Sequence, residues 1–142
     1  MSIENVAIAI VFAAMGYFFG RRSIQACPKV DPTLLAARAS IYRELFAAFN
    51  VAYSTMLVAM MEEKQDRLLS EETKKVTWES LNVLSRLIAQ TSFMLPQEMN
   101  DVLEGMNGSH LGMSWSERLD HLGRVRERAL VVARKDIAEN AI

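Results

Sequence analysis

The residues able to do chemistry in this chain are few and far apart. Its two histidines are His110, in a glycine-rich stretch, and His121, and its one cysteine is Cys27. Glu117 and His121 stand four residues apart, a spacing that puts a carboxylate and an imidazole on one helical face. Inside a helical bundle such a pair is one contribution to a di-metal carboxylate site. That site also needs further glutamates and a Glu-x-x-His from other helices, and the sequence holds no Glu-x-x-His. The pair therefore reads as an ordinary exposed helix pair, and His110 as a loop residue. Cys27 has neither histidine near it in sequence, and there is no Gly-x-Ser-x-Gly, no Cys-x-x-Cys and no phosphate-cradling glycine loop. Gly105-Met106-Asn107-Gly108 has the composition of such a loop but follows a helical pattern, where glycine ends a helix. No enzyme activity, cofactor or metal is expected.

Cations are the more conspicuous feature. Arg118, Arg124, Arg126, Arg128, Arg134 and Lys135 crowd the last helical stretch, and Glu117, Asp120, Glu127 and Asp136 are interspersed among them. The surplus is about two positive charges, so a solvated face is the first reading. A face against anionic lipid headgroups, at about 1 kcal/mol per nearby cation, and a face for an acidic partner are the functional readings. Nucleic acid is not an expected partner, because 16 Lys+Arg against 17 Asp+Glu leave the chain at -1 overall. Met56, Met60, Met61, Met94, Met99, Met106 and Met113 suit an irregular core first and an adaptable binding groove second.

The elements that must position these residues begin with an apolar leader. From Val6 to Gly20 the chain carries no charge, and Ile3 extends the apolar character past Glu4 and Asn5. Ile3 to Gly20 would make a helix of about 27 Å, just short of a hydrocarbon core of about 30 Å. Arg21 and Arg22 can snorkel to make up the difference, and Tyr17 places an amphipathic ring at the same boundary. A cleaved signal would carry its positive charge before the apolar run, whereas here the basic pair follows it. A lipoprotein signal is hinted at by Ala26-Cys27, but Gln25 fits it poorly and the arginine pair intervenes; a buried soluble helix would show a polar stripe. Residues 1–22 are thus read as a single transmembrane anchor, in which Gly16 and Gly20 form a small-xxx-small spacing for helix approach. Arg21, Arg22, Lys29 and Arg38 follow the apolar run while no Lys or Arg precedes it, which puts the N-terminus outside and the bulk of the chain in the cytoplasm. A lone cysteine agrees with that reducing compartment.

Pro28 and Pro32 make residues 23–32 a short tether, and 33–142 a helical domain. Asp31-Pro32-Thr33 is a helix start. Tyr42, Phe46, Phe49, Tyr53, Met56 and Met60 recur at gaps of four and three, widened by Ile41, Leu45, Ala48, Ala52 and Ala59, and predict a core-facing helix to about Arg67. Ser70 opens a second helix with Val76, Leu81, Leu84, Leu87, Ile88, Thr91 and Leu95 inward, stopped by Pro96. A shorter third carries Met99, Val102, Leu103 and Met106. Ser114-Trp115-Ser116-Glu117 reads as a capping box for a last helix to about Ala138, with Leu119, Leu122, Val125, Ala129, Val132 and Ala133 inward. No period-2 strand occurs. The predicted fold class is all-α: one transmembrane helix plus a small antiparallel helical bundle. At 142 residues with 51% hydrophobic residues, the chain is too short for a multidomain enzyme and too apolar for a disordered one.

Two short runs carry a resemblance. Ser80-Leu81-Asn82-Val83-Leu84-Ser85-Arg86-Leu87 leads into a turn-prone stretch, and Val132-Ala133-Arg134-Lys135-Asp136-Ile137 lies near the end of the sequence. In these the second half resembles a set of uncharacterised small bacterial and prophage-encoded proteins that join a hydrophobic N-terminal helix to a helical domain. The resemblance implies that architecture and no activity. The expectation is a non-enzymatic interaction module, or small subunit of a bacterial inner-membrane assembly, with membrane lipid and a protein partner or a homo-oligomer as its contacts. The alternative is a ligand-responsive or toxin-like effector that oligomerises through its spanning helix.

Overall fold

The structure, a computed structural model, describes residues 30–65, 68–107 and 112–140. The expected anchor at 1–22, with Gly16, Tyr17, Gly20, Arg21 and Arg22, lies outside the described residues, as do the tether up to Lys29 and His110. The chain divides after Val30, and the unit from Asp31 onward is helical, with no strand among its described residues.

Helix α1 spans Pro32–Lys64. Asp31 Oδ1 accepts from the Thr33 amide at 2.7 Å, Pro32 occupies the first turn, and the bond from the Thr33 amide holds the Asp31 carboxyl below its ordinary range. Ile41, Tyr42, Leu45, Phe49, Ala52, Met56 and Ala59 are buried at three- and four-residue intervals, while Phe46, Tyr53 and Met60 pack half-buried at the edge of the core. The helix ends at Lys64 rather than near Arg67, which is not among the described residues.

Helix α2 spans Glu71–Thr91 and is capped by Ser70 Oγ, which accepts from the Thr73 amide at 3.0 Å. Glu62 of α1 closes the hairpin. Its carboxylate accepts from the Ser70 amide at 3.2 Å and from the Thr73 hydroxyl at 2.8 Å. Halfway along, Thr55 Oγ1 and Ser80 Oγ are 2.8 Å apart, and Thr77 Oγ1 donates to the Thr55 carbonyl at 3.3 Å. These pairings run in opposite chain directions, so α1 and α2 are antiparallel. One predicted core position is corrected here: Val76 is 44% exposed, and Thr77 and Ser80 line α1 beside the expected Leu84. Hydroxyls can take that side because α1 satisfies them, which removes the cost that ordinarily keeps polar atoms out of a core.

A single 3-10 turn at Ser92–Met94 leads through Leu95 to Pro96, the N-cap of helix α3, Gln97–Glu104. Met99 and Leu103 are buried there; Met106 belongs to a second 3-10 turn, Gly105–Asn107. Helix α4 spans Trp115–Asn140. Its capping box forms as expected, the Ser114 amide donating to Glu117 Oε2 at 2.8 Å and the Glu117 amide to Ser114 Oγ at 3.2 Å. All the predicted inward residues of α4 are buried, and Asp136 is buried with them.

Helix α1 is the common element. It packs against α2 and, antiparallel again, against α4, while α3 packs on α4. Trp115 of α4 meets Glu63 of α1, and Asp136 meets Tyr42. The fully buried Leu45, Phe49, Leu84, Met99, Leu103 and Leu122 contribute about 1.5–3 kcal/mol each. By length and composition α1 is also apolar enough to cross a membrane, yet only 28% of its most apolar window is buried in the bundle.

Candidate interaction surface

The most constrained polar group is an ion pair that the sequence reading did not single out. Arg38 Nη1 lies 3.1 Å from Asp136 Oδ1, with the two side chains 13% and 8% exposed. Tyr42 donates its hydroxyl to Asp136 Oδ2 at 2.7 Å, Asn140 Nδ2 donates to Oδ1 at 3.2 Å, and Arg38 Nε donates to the Met94 carbonyl at 2.7 Å. One carboxylate thus joins α1, α4 and the turn after α2. Burial, then the bond to Asp136 and its negative charge, push the Tyr42 phenol well above its ordinary value. Arg38, which sequence position alone places among the cations flanking the apolar leader, is committed to the interior. Asp136, by type a surface charge, lies at an inward interval, three and four residues beyond Ala133 and Val132. That register was the available signal.

The expected Glu117–His121 pair does not form as read. Glu117 turns to Ser114, whose amide holds its carboxyl below the ordinary range, and His121 Nε2 donates to the Gly105 carbonyl at 2.7 Å. Among the described residues, no group of three His, Cys, Asp or Glu is placed to hold a metal.

The six cations of α4 are distributed over more than one face. Arg118 lies 5.3 Å from the Trp78 ring centre and 4.8 Å from that of Trp115, and donates to the Met113 carbonyl at 3.1 Å. The two indoles meet edge to face at 5.8 Å, tying α2 to α4. Lys135 pairs with Glu98 of α3 at 2.8 Å, and that carboxylate raises its pKa. Arg124 and Arg128, exposed and on the same stripe as Lys135, border a cleft shared with Glu98 and Asp101. Arg126 is half-buried. Arg134 instead borders an apolar groove between α1 and α4.

That groove and the back of α1 form one extended apolar surface. The groove encloses about 660 Å³ between Tyr42, Phe46 and Ala47 on one wall and Leu130, Ala133 and Ile137 on the other, with Arg43 and Arg134 at its rim. Beside it α1 carries no charge from Leu45 to Met61, about 25 Å of helix. On this outer side Val51, Leu57, Val58 and Met61 are exposed, with Val76 and Val83 exposed on α2. Met56 and Met99 are buried and Met60, Met94 and Met106 pack on the core, as expected of core methionines, while Met61 and Met113 are exposed. No family model matches the chain, and no curated protein or solved structure matches it.

Proposed function

We propose that the chain is a membrane-anchored, non-enzymatic interaction module, or the small subunit of a bacterial inner-membrane assembly, with its N-terminus outside and its helical domain in the cytoplasm. The observation that carries the interaction role is the back of α1: no side chain from Leu45 to Met61 is charged, and Val51, Leu57, Val58 and Met61 stay exposed along it. A helix with that pattern has a second apolar environment. The anchor rests on the uncharged run from Val6 to Gly20 and the arginines that follow it. Tethering would supply the mechanism, since confinement at a bilayer raises the effective concentration of a docking face toward its partner.

Cys27, the only thiol, is a built-in topology probe. A membrane-impermeant maleimide added to intact cells should leave it unlabelled and should label it once the inner membrane is opened. Full labelling in intact spheroplasts would reverse the orientation and remove the cytoplasmic role.

A further inference from the structure

We infer that the open face of α1, with the shoulder of α2 beside it, seats a second copy of this chain, an inference that rests on the interaction-module reading. Thr55 and Ser80 join the two helices by their hydroxyls at 2.8 Å. Val51 and Val58 stand one turn either side of Thr55, and Val76 and Val83 one turn either side of Ser80. At 57%, 50%, 44% and 56% exposure, these valines ring the hydrogen bond with apolar surface. Further round α1 follow Ala47, Ser54 and Met61 at seven-residue steps, the spacing of a helix–helix seam.

Three observations favour a copy of the same chain. First, the α1 part of the face holds no charge between Glu44 and Glu62, and on the α2 shoulder the exposed Glu79 pairs with Lys75 at 4.0 Å, so the surface has no net sign to attract a strongly acidic or basic partner, while its own duplicate presents a matching near-neutral surface. Second, it is self-complementary. Two antiparallel α1 helices with a twofold axis at Ser54 set Ala47 of each against Met61 of the other, a small residue opposite a long one, as an isologous interface requires. The Ser54 hydroxyl already donates to the Asn50 carbonyl at 2.9 Å, so burying it at that axis strands no donor. Third, the area suffices. About 25 Å of uncharged α1 by about 20 Å across two adjacent helices is about 500 Å² per copy. The pair buries about 1,000 Å², the floor for a biological interface and the size of a weak, reversible dimer.

The test uses the full chain in mild detergent, with Cys27→Ser as background. Ser54→Cys, at the axis, should form a disulfide-linked dimer under mild oxidation, and Arg128→Cys, exposed on α4, should not. Adding Val58→Lys and Val83→Lys should reduce the Ser54→Cys dimer about tenfold or more at unchanged helical circular dichroism, because both side chains are exposed in the single chain. No dimer from Ser54→Cys, equal dimer from Arg128→Cys, or indifference to the two lysines would overturn the inference. So would quenching of a fluorophore on Ser54→Cys by lipid-borne nitroxides in vesicles, which would make lipid the occupant. Failure here with Cys27 still protected in intact cells would sink the dimer alone and leave the anchored module standing.

Discussion

Removing Asp136 probes how the domain is held together. Asp136→Ala leaves the Arg38 guanidinium in a site where it is 13% exposed, takes the acceptor from the Tyr42 hydroxyl, and frees one end of the link to the turn at Met94. Breaking a buried pair from one side costs about 3–5 kcal/mol, because the surviving charge stays desolvated. For a unit of this size about 4 °C per kcal/mol applies, so the melting midpoint should fall by about 10–20 °C. Removing both charges in Arg38→Met with Asp136→Leu should cost clearly less than Asp136→Ala alone, since no orphaned charge remains. The assay is thermal unfolding of the full chain in mild detergent, followed by circular dichroism. A loss below about 1 kcal/mol for Asp136→Ala, or single costs that simply add in the double variant, would refute the reasoning.

The phenol of Tyr42 has a folded pKa above its ordinary value, so the native state holds that proton more tightly than the unfolded chain. Stability should be fully present below pH about 10 and decline above it; Tyr42→Phe should flatten that alkaline limb in pH-dependent urea melts. Glu117 shows the opposite sign: its carboxyl is depressed by the capping box, so its contribution is present above pH 4.5 and lost on acidification, an acid limb that Glu117→Gln should weaken. Ser114→Ala removes the cap and should cost about 1 kcal/mol at neutral pH by denaturant melt. Leu84→Ala, truncating a fully buried side chain between α1 and α2, should cost about 2–5 kcal/mol. Arg118→Ala should cost about 0.5–1 kcal/mol and change the near-ultraviolet dichroism of the edge-to-face Trp78–Trp115 pair.

Local rules are where the sequence reading succeeds. The Asp31 and Ser114 caps, Pro32 in the first turn of α1 and the inward face of α4 each depend on residues within a turn or two of one another, and each is found, whereas α2 ends at Thr91, ahead of the Pro96 expected to stop it. What the reading misses depends on contacts between distant segments. Thr77 and Ser80 displace Val76 from the α1–α2 interface because Thr55, more than twenty residues earlier, supplies partners for their hydroxyls. Asp136 and Arg38 look like surface charges one at a time; only the packing of α4 on α1 makes them a pair. The six α4 cations suggested one basic face, and neighbours on α2 and α3 draw Arg118 and Lys135 into separate contacts. The uncovered side of α1 was partly visible, since an uncharged run from Leu45 to Met61 exceeds what a two-sided helix needs. Which side would be left open follows from where α2 and α4 pack.

The most direct measurement is flotation of the full chain with phospholipid vesicles after an alkaline carbonate wash. An anchored module floats with the vesicles and leaves them only when detergent dissolves the bilayer. Recovery of the whole chain, apolar leader included, as a monodisperse lipid-free species in plain aqueous buffer would contradict the account.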